Sequence, residues 1–293
     1  MRKETEKIFK DFEKYMKDKE FDNEQDINRA VSDFIEYYNK KAAKKKGKDA
    51  WDYLEMAYEA DTEQEALKYA RKALQADKNC LDAEMMIAEL TCEDSDTLKA
   101  TYEKLIKKAE FDLREANILN EDNRGHFWLI VETRPYMRLR YSYARLLMDL
   151  GKFKMAIKEC EDLLLLCEGD NMGVRYLLIS LYAFFEDELN VIKLHKRYEE
   201  ESSAHMLLPI IALYYKLDDY KKAESYLKKL KKVNGELEDV FSGIEDIDDV
   251  MDDVIESGMY RYGSKEEVMA AMVDSAFLYA TTKGFLLWMA DRV

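Results

Sequence analysis

The run DDVMDD, residues 248–253, holds the one arrangement of side chains in this chain whose types and spacing could do chemistry. On a helix, Asp248 with Asp252 and Asp249 with Asp253 stand four positions apart on one face, and carboxylates so placed can share a divalent cation. Metal-dependent helical enzymes of that design need a second ligand motif and a deep apolar cavity, and the sequence offers neither. The competing reading is a solvated acidic face, because residues 236–256 carry ten acidic side chains and no basic one. Other routes to catalysis have less behind them. His126, His195 and His205 lie far apart, no serine or cysteine has a nucleophile context, and the phosphate-cradling patterns GxGxxG and GxxxxGK are both missing. The cysteines Cys80, Cys92, Cys160 and Cys167 form no CxxC and have no histidine at metal-ligand spacing, so they read as buried reduced thiols. No cofactor is called for. The chain reads as a non-enzyme, with a divalent-metal-dependent enzyme or a small-ligand protein built on the acidic helix as the alternative.

A second cluster could bind without reacting. Arg124, Arg134, Arg138, Arg140 and Arg145 place five basic residues in 22 positions with no lysine among them, in a chain otherwise dominated by lysine. The planar guanidinium takes a carboxylate bidentately and leaves water more cheaply than an ammonium does. Such arginines either pair inside the fold, with Glu132, Asp149, Asp170 or helix-ending carbonyls as partners, or present a site to a ligand. Both readings stay open on sequence alone.

Composition narrows the class of partner. The 293 residues carry 46 basic against 61 acidic side chains, a net charge of −15 that repels nucleic acid. Two lysine runs, NKKAAKKKGK near residue 40 and KKAESYLKKLKK from Lys221, lack interleaved stacking aromatics and read as a loop and solvated helix faces. The opening MRKETEKIFKDFEK is charged throughout, and no apolar run approaches the ~20 residues that span a bilayer. A cytoplasmic protein with no membrane and no nucleic-acid partner is expected.

The elements that must position these side chains are helices. Two prolines and ten glycines leave few breaks, while 47% hydrophobic residues provide for a core. A mean hydropathy of −0.51 places much polarity on long exposed faces. Ile8, Phe12 and Tyr15, then Ile27, Val31, Phe34 and Tyr38, recur at helical spacing and predict a hairpin. From Ala50 a rhythm of helix pairs begins. The second helix of the first pair has Asp61 as N-cap with Gln64 three residues on, and Ala66, Ala70 and Ala73 along one edge. Leu98, Tyr102 and Leu105 fill the corresponding places of the next pair. Later, Phe153, Ala156, Cys160 and Leu163 are matched one for one by Tyr220, Ala223, Leu227 and Leu230. Between the blocks, Phe127 to Ile130 is too short for a helix and is expected as an extended plug, and Pro135 sits in the first turn of the helix that follows. Near the end, Ser264 and Glu267 form a capping box that opens MAAMVDSAFLYATT, and Gly284 closes it before FLLWM.

This spacing resembles the tetratricopeptide repeat, whose helix pairs recur about every 34 residues. The unit YSYARLLMDLGKFKMAIKECEDLL carries it best, with small Ala144, turn Gly151, aromatic Phe153 and small Ala156. The likeness covers residues 50–110 and 135–233. The signature tryptophan is clear only at Trp51, and the proline that usually follows each second helix is missing. The phrase ETRPYMR…LL…G…AI, continued by DN.G.RYLL, is also similar to bacterial repeat proteins of the suppression-of-tumorigenicity-like family, a likeness that brings no known activity.

The resemblance implies an all-α, right-handed α-solenoid of such pairs. Its expected divisions are a helical hairpin cap over 1–45, a first block over 46–120 and a connecting plug over 121–134. A second block over 135–235 and an acidic helix with a helical cap over 236–293 complete it. In repeats of this kind the first helix of each pair lines a concave groove. That places Arg138, Tyr141, Arg145 and Met148 on the inner face, with Arg175, His205 and Tyr215 from later units. The function implied is a binding scaffold that holds a protein or peptide partner by its acidic or carboxylate groups. Homo-oligomerisation through FWLIV or FLLWM is a third reading.

Overall fold

The computed structural model describes residues 3–17, 19, 21, 23–44, 47–242, 260–282 and 284–293. Their regular structure is helical throughout, apart from one isolated bridge between His126 and Cys167. Among them no helix is long and apolar enough to cross a membrane. The chain divides into two compact units, Met1–Lys152 with Leu165–Gly169, and Phe153–Leu164 with Asp170–Val293. The strongest repeat unit of the sequence therefore contributes its first helix to one unit and most of its second to the other.

The first unit runs α1 (Lys3–Met16), α2 (Glu24–Lys44), α3 (Ala50–Tyr58), α4 (Glu63–Ala76), α5 (Leu81–Thr91), α6 (Ser95–Glu115) and α7 (Arg134–Asp149). Aromatic rings join α1 to α2: Phe12 meets Phe34 edge-on at 5.0 Å and Tyr15 stacks on Tyr37 at 5.3 Å. Side chains near each start fix where α3, α4 and α6 begin. Asp49 and Asp52 make a reciprocal capping box at α3, and Asp94 accepts both the N–H and the hydroxyl of Thr97 at α6. At α4 the cap is Thr62, which accepts from Glu65 N, one residue later than the expected Asp61 and Gln64. Thr62 has the extended backbone that a cap requires, and Asp61 lies outside the helix.

Small residues let these helices approach closely. Ala73 packs with Ala50, Leu54 and Ala83, and Ala70 with Ala57 and Met86, so α4 is sandwiched between α3 and α5. The first helix α5 also touches the next first helix, α7. Where an extended plug was expected, the chain makes two turns of 3₁₀ helix, Phe127–Leu129 and Val131–Thr133. No neighbouring strand satisfies this backbone, so it closes on itself: Ile130 N donates to Phe127 O, Thr133 N to Ile130 O, and the Thr133 hydroxyl to both carbonyls. Phe127 and Val131 are buried as a result, while Leu129 is 69% exposed. Pro135 then sits in the first turn of α7.

The second unit runs α8 (Phe153–Leu166), α9 (Val174–Phe184), α10 (Glu188–Arg197), α11 (Ala204–Lys216), α12 (Tyr220–Val233) and α13 (Leu237–Phe241). After the undescribed stretch come α14 (Lys265–Asp274), α15 (Ala276–Thr281) and α16 (Phe285–Ala290). Its core lies around α11, whose residues Ala204–Tyr214 are all buried. The matched positions on α8 and α12 share one environment: Ala156, Cys160 and Leu163 are buried, as are Ala223, Leu227 and Leu230. The aromatic that opens each helix meets the rings ending a first helix, Phe153 with Phe184 and Tyr220 with Tyr215.

The C-terminal helices depart from expectation in detail. MAAMVDSAFLYATT is two helices broken at Ser275, whose hydroxyl turns to Ser180 on α9 at 2.7 Å. Ser264 caps α14, yet Glu267 does not reach back to it. Its carboxylate accepts from Gly263 N at 2.6 Å and from Ala204 N, the first residue of α11, at 3.0 Å. The amphipathic helix expected over 236–256 is described only to residue 242.

Candidate functional site

The residues singled out by the sequence divide between the two units, and each group is placed by its own. In the first unit, Arg138 rises from α7 toward two carboxylates. Its Nε and Nη2 donate to Asp82 Oδ1 and Oδ2 of α5, both at 2.9 Å, and Nη1 and Nη2 donate to Glu6 Oε1 and Oε2 of α1 at 2.6 and 3.1 Å. Both acids are almost wholly buried. Burial opposes the guanidinium charge, but Asp82 and then Glu6 outweigh it and hold the Arg138 pKa above its usual value. Neighbouring arginines are employed in the same way. Arg134 is buried and donates to Trp128 O, and Arg140 is buried and donates to the Tyr136 hydroxyl. Tyr141 and Met148 are half-buried, and Arg145 is exposed.

In the second unit, Arg175 is equally committed. It donates from Nε to Glu201 Oε2 at 2.9 Å, from Nη1 to Asp170 Oδ2 at 2.9 Å, and from Nη2 to the Tyr176 hydroxyl at 2.6 Å. His205 is buried, with its ring against Tyr176 and stacked on Tyr260, and its Nε2 lies 3.4 Å from Asp274 Oδ2. Tyr215 packs among Tyr220, Phe285 and Trp288. Asp170, named from sequence as a candidate partner for the arginines, is one. Glu6 and Asp82 were not foreseen. The carboxylates Asp248, Asp249, Asp252 and Asp253 lie outside the described residues. Among those described, no three histidine, cysteine or acidic side chains gather in a group that could hold a metal ion.

Comparison with protein-family models, curated proteins and solved structures finds no match. The chemistry of the site thus rests on its own geometry.

A cleft in the first unit, about 540 Å³ in volume, was not anticipated from the sequence. It arises from a mismatch in helix length. α6 has 21 residues and its antiparallel neighbour α5 has 11. Their register is set by Tyr102 donating to Glu89 at 2.5 Å and Lys108 donating to both oxygens of Glu84 at 2.8 Å. Past Lys108, α6 soon outruns the start of α5, and its last turns border the α4–α5 loop, the start of α3 and the residues leading into α7. Leu54, Ala109, Leu113, Val131 and Tyr136 supply buried apolar lining, and the half-buried Trp51 adds an indole face. Exposed carboxylates of Asp77, Asp112, Glu115 and Glu132 stand among the lining residues. The signal in the sequence was the length of the unbroken helical run from Ser95 to Glu115, read against the shorter helices around it.

Proposed function

We propose that this chain is a non-enzymatic binding scaffold of tetratricopeptide-like helix pairs arranged as a solenoid, and that a partner protein seats a short segment in the cleft of the first unit. The cleft is the observation that carries this reading. Its volume lies in the range of ligand pockets, and it joins a buried apolar lining to a few polar groups, the combination that gives affinity and orientation together. Helix pairs with fully buried alanines at their contacts support the repeat character. The acidic or carboxylate-bearing ligand implied by the resemblance finds no open fork at Arg138 or Arg175, since each guanidinium already holds two carboxylates of its own unit.

Selection of peptides from a displayed library on the whole chain tests this. Ala116, exposed at the end of α6 and lining the cleft, is the position for a plug. Selected peptides should bind the wild type and lose binding to Ala116→Trp, while circular dichroism stays unchanged. Peptides that bind both proteins alike would remove the cleft as the site.

A further inference from the structure

The occupant of the cleft can be specified by charge. Six carboxylates, Asp77, Asp82, Glu84, Asp112, Glu115 and Glu132, line it against two ammonium groups, Lys10 and Lys108. Two of the six are paired internally, Asp82 with Arg138 and Glu84 with Lys108. Lys108 is held by both Glu84 oxygens, which leaves Lys10 as the only other cation of the lining. Asp77 uses one oxygen to accept from Asn79 N and is exposed. The outer carboxylates Asp112, Glu115 and Glu132 are all exposed, so their field falls on whatever enters.

We infer that the cleft receives a lysine- or arginine-bearing amphipathic segment of another protein, an inference that rests on the cleft being the binding site. The geometry suits both halves of such a segment. Apolar side chains meet Leu54, Leu113 and Val131, which are buried from three different elements. The stem of a lysine or arginine lies along apolar lining and its head reaches the rim, with the Trp51 indole available for a cation–π contact. An acidic segment would meet like charge at the rim, which is where selection against a wrong partner is set.

Three synthetic amphipathic peptides of equal length, made of leucine with lysine, glutamate or glutamine, test this on the full chain by fluorescence anisotropy, beside spermine as a small polycation. The lysine peptide should bind tightest, with affinity falling as salt is raised. The triple variant Asp112→Lys, Glu115→Lys, Glu132→Lys should weaken it about tenfold or more, while a charge-matched control at exposed positions outside the lining, Asp61→Lys with Glu63→Lys and Glu93→Lys, leaves it unchanged. Ala116→Trp should abolish it. Equal affinity for all three peptides, all lost with Ala116→Trp, would overturn the cationic assignment and leave the cleft as a binding site. Binding of every peptide that ignores Ala116→Trp would overturn both. Spermine displacing the lysine peptide at matched charge concentration would assign the cleft to a polyamine instead. Sedimentation showing self-association that Ala116→Trp dissolves would assign it to a second copy of this chain.

Discussion

Arg138 and Asp82 face each other across α7 and α5 in a two-pronged pair, Nε to Oδ1 and Nη2 to Oδ2, both at 2.9 Å. Glu6 closes the same guanidinium from the other side, so one cation ties three helices together. Its partners are 3% and 1% exposed, so water does little to solvate them.

Removal of that cation is expected to be severe. Arg138→Ala takes the shared cation from two buried carboxylates and should destabilise the chain by about 3–5 kcal/mol in urea unfolding. Replacing all three members by apolar residues, Arg138→Met with Asp82→Leu and Glu6→Leu, should recover most of that loss. If Arg138→Ala melted like the wild type, the pairing would not be architectural.

Glu267 caps a helix it does not belong to. Its two oxygens take the N–H groups of Ala204 and Gly263, and it is 2% exposed. An anion at the start of α11 also meets the positive end of that helix. Glu267→Ala should cost about 1–3 kcal/mol for each donor left unsatisfied, and Glu267→Gln, which keeps one acceptor, should cost less. Equal losses in the two variants would show that the oxygen kept by glutamine contributes nothing by itself.

Gly263 is constrained twice. Its φ is +77°, and a Cβ there would lie 2.5 Å from the Val233 carbonyl oxygen. Gly151 shares the left-handed backbone, at φ +67°, with open space around it. Gly151→Ala should therefore cost only the conformational strain, about 1–2 kcal/mol, and Gly263→Ala distinctly more because backbone must shift. Thermal melting of the two variants side by side separates the contributions.

His195 makes stability pH-dependent. It is 1% exposed and its Nε2 lies 3.0 Å from the Glu201 carbonyl, an acceptor that requires the proton on Nε2. Burial holds its pKa below the usual value, and the hydrogen bond and nearby acids oppose this only in part. Below about pH 6.5 the unfolded chain therefore binds the proton that the folded chain refuses, and stability falls with pH through that window. The melting temperature of the wild type should drop more between about pH 7.5 and pH 5.5 than that of His195→Gln. Parallel curves would place the dependence elsewhere.

The charge reversals at Asp112, Glu115 and Glu132 carry the remaining prediction, and their exposure makes them suited to it: surface substitutions of this kind change stability by about 0.5 kcal/mol or less.

The helices themselves were readable because their signals are local. Apolar spacing, the cap at Ser264, the turn at Gly151 and the proline at the start of α7 each act within a few residues. So were the buried alanines, since a small residue recurring on one helix face announces close packing before any partner is known. Local signals misled where neighbours competed, as at Thr62 beside Asp61, and where a short apolar run had no strand to pair with, as at Phe127–Thr133. Tertiary structure alone decided which acids meet Arg138, because Asp82 and Glu6 stand 56 and 132 positions away and no spacing rule reaches that far. It also decided the cleft, which belongs to no segment: it is the space left when a long α6 lies beside a short α5, and it takes its charge from four separate stretches of chain.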